Sequence, residues 1–135
     1  MTKLDEVKDI LYSKNASLVV YYSNGVIKEY YQDRVKDIKE ILHENEKALK
    51  GAIIADKVIG KLAGSLLAIS GVKQIYADVI SEYAIPVLKE YNIEFNYKTK
   101  VPFIINKDNT GMCPMENKYK DEKDIKKIYW DIIKK

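Results

Sequence analysis

Cys113 and His43 are the chain's whole stock of thiol and imidazole. A zinc site needs three or four nitrogen, sulfur or oxygen ligands held at fixed spacing. His43 has no cysteine or histidine partner at such spacing, so no metal and no cofactor is expected. His43 stands next to Glu44 in a helix-like stretch and reads as a surface or boundary histidine. A Ser-His or Cys-His pair would have to recruit it from a different helix. The chain carries no Walker phosphate loop, no Gly-x-Gly-x-x-Gly and no Gly-x-Ser-x-Gly elbow.

Three short stretches could still do chemistry. Asp56 and Lys57, with Lys61 four positions on, would open a helix and place both lysines on one side of it. A helix start offers free N–H groups and partial positive charge, which suit an anion. Alternatively, Asp56 only caps and the lysines reach solvent. Ser81-Glu82 follows a strand-like run. In open α/β sheets ligands collect beyond the carboxyl ends of strands, but the pair could equally be an N-cap and a dipole partner. In Gly111-Met-Cys-Pro-Met-Glu116, proline suits a first helical position and Glu116 stands where a reciprocal cap would. A thiol at such a start is biased towards thiolate, although a lone cysteine also serves as a small buried hydrophobe.

These groups need elements to position them. Thr2, with Asp5, caps a first helix whose apolar face is Leu4, Val7, Ile10 and Leu11. Strands over 17–22 and 26–31 flank Asn24-Gly25, a strong hairpin signal. Asp33 caps a helix carrying Val35, Ile38, Ile41 and Leu42. The central segment 51–70 reads as a helix capped by Asp56, with Val58, Ile59, Leu62, Leu66 and Ile69 apolar at helical spacing. Gly60, Gly64 and Ala68 form a small-residue stripe along it, which implies close packing. Gly71 ends that helix, and a strand covers 72–80. Ser81 caps a helix to about residue 91, in which Pro86 is awkward. Ile93, Phe95 and Tyr97 alternate as a strand, and 101–105 is an edge strand or a loop on the core. A turn over 107–111 and a final helix capped near Asp121 complete the chain. The pattern predicts one α/β domain over 1–135, a three-layer α/β/α arrangement around a mixed sheet.

Hydrophobic residues make up 47% and charged residues 32%, which is globular rather than disordered. No apolar run approaches the ~20 residues of a membrane span, and the charged N-terminus lacks the core of a secretory signal. With one cysteine, a cytoplasmic location is expected. The net charge is +3, yet Arg34 is the only arginine among 23 basic residues. Phosphate and base recognition leans on the arginine fork, so nucleic acid is disfavoured as a partner. The eleven tyrosines fall mostly in strand-like runs.

Asp56-Lys-Val-Ile-Gly-Lys61, Ser81-Glu82 and Cys113-Pro-Met-Glu116 resemble the signatures of a small prokaryotic family of unknown function. That family is placed in the cytidine deaminase-like superfamily. The similarity runs from about Leu18 to Glu116. It implies an αββαβαβ scaffold in which zinc ligands and a catalytic glutamate would open the second core helix and a cysteine pair the third. Ala55-Asp56-Lys57 and Ile80-Ser81-Glu82-Tyr83 stand at those places, without the zinc ligands. The expectation is therefore a metal-free crevice for a small anionic or nucleotide-like ligand. Lys57 and Lys61 would attract the charge, and Asp56 and Glu82 would orient or deprotonate. Ser81 would donate a hydrogen bond, and Cys113 would attack or touch the ligand beside Met115 and Glu116. The competing readings are a non-catalytic interaction or regulatory module, and thiol chemistry at Cys113. Apolar faces on outer helices also make a homo-oligomer an expectation.

Overall fold

Thr2 and Asp5 close a capping box, each amide donating to the other's side chain at 3.1 Å. Helix α1 (Lys3–Ser13) starts there and buries Leu4, Val7 and Leu11. The computed structural model describes residues 2–33 and 35–135. Strand β1 (Leu18–Tyr21) and β2 (Ile27–Tyr30) pair antiparallel across the Asn24-Gly25 turn, where Gly25 adopts φ 91°. Helix α2 (Lys36–Glu44) buries Ile38, Ile41 and Leu42. Its N-cap is Val35 rather than Asp33; Asp33 instead pairs with Lys107 at 3.4 Å.

The central segment departs most from its expected form. Ile53–Ile59 is strand β3, Gly60 is the N-cap, and Lys61–Ser70 is helix α3. Asp56 is therefore mid-strand, between Leu18 of β1 and Ala77 of the next strand, and caps nothing. The physical reason is burial on both faces. Such a strand carries a continuous apolar run with no alternation, and periodicity alone does not separate it from a buried helix.

Gly71, at φ 78°, ends α3 in the left-handed conformation. Strand β4 (Gln74–Ser81) follows, then α4 (Ile85–Glu90) and β5 (Glu94–Val101). Ser81 is the last residue of β4 and not a cap; Ala84 caps α4. Pro86 consequently falls in the first turn of α4, where no intrahelical N–H is lost. Beyond β5 only Ile105 pairs, in an isolated bridge to Met112. Helix α5 (Pro114–Tyr119) precedes α6 (Ile125–Tyr129), which Asp124, not Asp121, caps; a π-helical turn over Trp130–Lys134 continues it.

The sheet order is β2-β1-β3-β4-β5. β1 is antiparallel to β2 and β3, while β3, β4 and β5 run parallel, so the sheet is mixed. Helix α1 covers one face over Val19, Ala55 and Tyr76. The remaining helices and the larger core, with Ile54, Leu66, Ile75 and Ile128, occupy the other. The result is a three-layer α/β/α arrangement. A Cβ on Gly64 would lie 3.3 Å from the Ala84 Cβ, so part of the small-residue stripe does set the approach of α3 to α4. No helix among the described residues is long and apolar enough to cross a membrane.

Candidate functional site

The carboxyl end of β3 delivers Val58, the chain turns at Gly60, and α3 begins. From the other side, the stretch after β5 folds back so that the Cys113 amide donates to the Ile104 carbonyl at 2.8 Å. Pro114 then starts α5, its missing N–H costing nothing at that position. Between the starts of α3 and α5 lies an open cavity of about 390 Å³, in the range of small-ligand pockets. Val58, Leu62, Ala63, Ile104 and Met115 give it apolar walls, and Cys113 joins them. Asn106, Lys107 and Asp108 add polar groups to the lining.

Glu116 ties the two sides together. Its carboxylate, only 2% exposed, accepts the Lys61 amide at 2.6 Å through Oε1 and the Ile104 amide at 2.8 Å through Oε2. Rather than capping its own helix against Cys113, as expected, it caps α3. Gly60 is required by space: a Cβ there would come within 2.9 Å of Glu116 Oε1 and of Ile104 Cγ1. The amides of Leu62 and Ala63 donate to no acceptor among the described residues, as first-turn amides have none within the helix.

The expected site residues divide into two groups. Lys61, Cys113, Met115 and Glu116 line the cavity. Lys61, however, sends its ammonium to the Lys120 carbonyl at 3.4 Å, the far end of α5. Burial holds that amine below the usual lysine range, against the opposing pull of Asp121, Glu122 and Glu116. Asp56, Lys57, Ser81 and Glu82 are outside the lining. The Lys57 Nζ donates to Asn15 Oδ1 at 2.5 Å, beside the end of α1, so Lys57 and Lys61 do not share a helix side. Asp56 is 4% exposed. Burial pushes its carboxyl up to about 8, with Asp37 adding repulsion and the Val58 and Lys57 amides opposing. Ser81 Oγ is buried without a partner among the described residues. Glu82 is exposed, and its amide continues the ladder to the Val101 carbonyl at 2.8 Å.

With this geometry in view, residues 6–135 match the family described as a domain of unknown function, DUF1893. The chain belongs to the DUF1893 family. It is similar to the crystal structure of a DUF1893 family protein from Thermotoga maritima, at 29% identity and a TM-score of 0.86, covering 99% of this chain and 91% of that one. No curated protein matches it.

A zinc ion of the kind the deaminase resemblance implies does not fit this DUF1893 chain. His43 is exposed on α2 with Nε2 3.3 Å from the Ile132 carbonyl, while Cys113 is in the cavity wall. No three such donors come together among the described residues. Sequence reasoning missed Val58, Gly60, Ala63 and Ile104 as site residues. The one signal that could have found them is Gly60, a glycine directly after an apolar run and directly before a helical one.

Proposed function

We propose that this DUF1893 protein binds a small organic molecule in the cavity between the starts of α3 and α5. The ligand has a largely apolar body and one hydrogen-bond-accepting edge. The observation that carries this reading is the cavity itself, about 390 Å³ with mainly apolar walls and a thiol among them. The anionic character expected from the sequence is given up. The Lys61 amide at the α3 start already holds the Glu116 carboxylate, and a second anion there would meet its charge. The unpartnered Leu62 and Ala63 amides favour a neutral acceptor, such as a carbonyl or a heterocycle nitrogen. A nucleobase-like molecule satisfies these terms better than a nucleotide. The cytidine deaminase-like reading of the fold is supported by the αββαβαβ succession from α1 to β4, and by a cavity at the start of the helix where that scaffold would place its ligand.

Cys113 supplies the reporter. The full chain is incubated with a panel of neutral heterocycles and small acyl compounds, and thiol alkylation by iodoacetamide is timed together with the melting temperature. At least one compound is expected to slow alkylation and raise the melting temperature, as binding to the folded state alone requires. Met115→Trp, which fills the cavity, is expected to abolish both effects. A panel without any protecting compound, or protection that persists in Met115→Trp, removes the reading.

A further inference from the structure

Strand β5 forms one border of the sheet, and six of its eight residues are exposed. Its outer backbone groups find no partner among the described residues. An open edge of this length is a template for another strand unless something blunts it. No proline or glycine interrupts Glu94–Val101, and the only blunting groups are Lys98 and Lys100.

Two copies of β5 related by a two-fold axis must run antiparallel. They must also set residues of the same face opposite one another, so the axis passes through a residue pair. Three registers satisfy this near the strand centre. Centred on Lys98, the two Lys98 ammonium groups oppose each other. Centred on Asn96, Glu94 faces Lys98, whose ammonium is already engaged 5.9 Å from the Tyr12 ring centroid. Centred on Tyr97, residues 94–100 of both strands pair throughout: Glu94 faces Lys100 at each end, Phe95 faces Thr99, Asn96 faces Lys98, and Tyr97 faces its own copy. In that register the lysine that would blunt the edge becomes the partner of a carboxylate, which Gln74 of β4 already holds in place by a hydrogen bond.

We propose that β5 is the site where a second copy of this chain docks, antiparallel and centred on Tyr97, joining the two sheets into one. The charge pattern supports this partner and register, because shifts that keep the symmetry break a Glu94–Lys100 match. Tyr97, 41% exposed in the single chain, is covered at the two-fold axis. The interface is separate from the cavity, which β5 does not line.

Sedimentation equilibrium of the full chain tests it, across concentrations reaching the high micromolar range. The wild type is expected to dimerise. Glu94→Lys and Lys100→Glu alone each turn two attractive cross-strand pairs into like-charge pairs and are expected to weaken the dimer roughly tenfold. The combined Glu94→Lys, Lys100→Glu protein, with both charges exchanged, is expected to recover. Both residues are exposed, and circular dichroism of each variant checks that the fold is kept. A wild type that stays monomeric overturns the proposal, as do single variants that dimerise like wild type or a double variant no tighter than the singles.

Discussion

Glu116 caps a helix that is not its own: its Oε1 accepts the Lys61 backbone N–H at 2.6 Å. Lys61 returns the grip through its side chain, whose ammonium reaches the Lys120 carbonyl beyond the other end of α5. One residue of α3 thereby holds α5 at both ends, and the positive start of α3 is neutralised from within the molecule. The cavity beside that junction keeps its shape because both of its sides are anchored by one carboxylate.

Removing that carboxylate should be costly. Glu116→Ala leaves the amides of Lys61 and Ile104 without an acceptor and is expected to destabilise by about 3 kcal/mol. Glu116→Gln keeps a neutral acceptor and should lose about half as much. Urea unfolding of both variants measures the difference, and a Glu116→Gln protein as stable as wild type would show that charge-assisted capping is not what Glu116 contributes.

Gly60→Ala pushes a methyl group to within 2.9 Å of Glu116 Oε1 and Ile104 Cγ1. A loss of roughly 1–3 kcal/mol follows from such overpacking. Combined with Glu116→Ala it should be milder than the sum of the two, because half of the clash is gone. Strict additivity in a double-mutant cycle would mean the contact is relieved elsewhere.

Asp56 makes stability depend on pH. The folded protein holds its proton up to about 8, whereas an ordinary carboxyl releases it near 3.8. The folded state binds that proton more tightly than the unfolded chain, so this contribution is complete below the lower value and is lost as the pH rises through the upper one. Each pH unit between them removes about 1.4 kcal/mol. Asp56→Asn is expected to flatten the profile over that window and to exceed wild type at its upper end. Parallel profiles for the two proteins, from urea unfolding at several pH values, would contradict this.

Lys57 and Lys61 should separate in their effects. Lys57 bonds Asn15 beside α1, away from the cavity lining, so Lys57→Ala is expected to leave ligand protection of Cys113 unchanged. Lys61→Ala frees the far end of α5 and should lower the melting temperature by a few degrees, as a loss of about 1 kcal/mol does. Loss of protection in Lys57→Ala with full protection in Lys61→Ala would reverse the assignment.

Gly64 marks the approach of α3 to α4, 3.3 Å from the Ala84 Cβ. In Gly64→Ala the better helix propensity, about 1 kcal/mol, offsets a contact that needs only a small shift. Gly64→Val has no such room and should cost about 2 kcal/mol or more in the same urea assay.

Much of this architecture is written locally. Thr2 with Asp5, Asn24-Gly25 and Gly71 act over three or four residues, and each produced the cap, turn or stop that its chemistry demands. The mixed three-layer arrangement followed from the alternation of such segments. Tertiary structure decided the rest. Asp56 became a strand residue because β1 and β4 flank β3 and take the backbone hydrogen bonds of alternate residues along it. Ser81 ended a strand instead of starting a helix because Val101 stands opposite it. Glu116 capped α3 because folding brought it across a separation of 55 residues to Lys61. Local propensity is set by neighbours within a turn or two, and the sequence carries that information in full. A cavity between chain segments so far apart depends on which buried surfaces and unpaired amides find each other, and only the folded chain makes that choice.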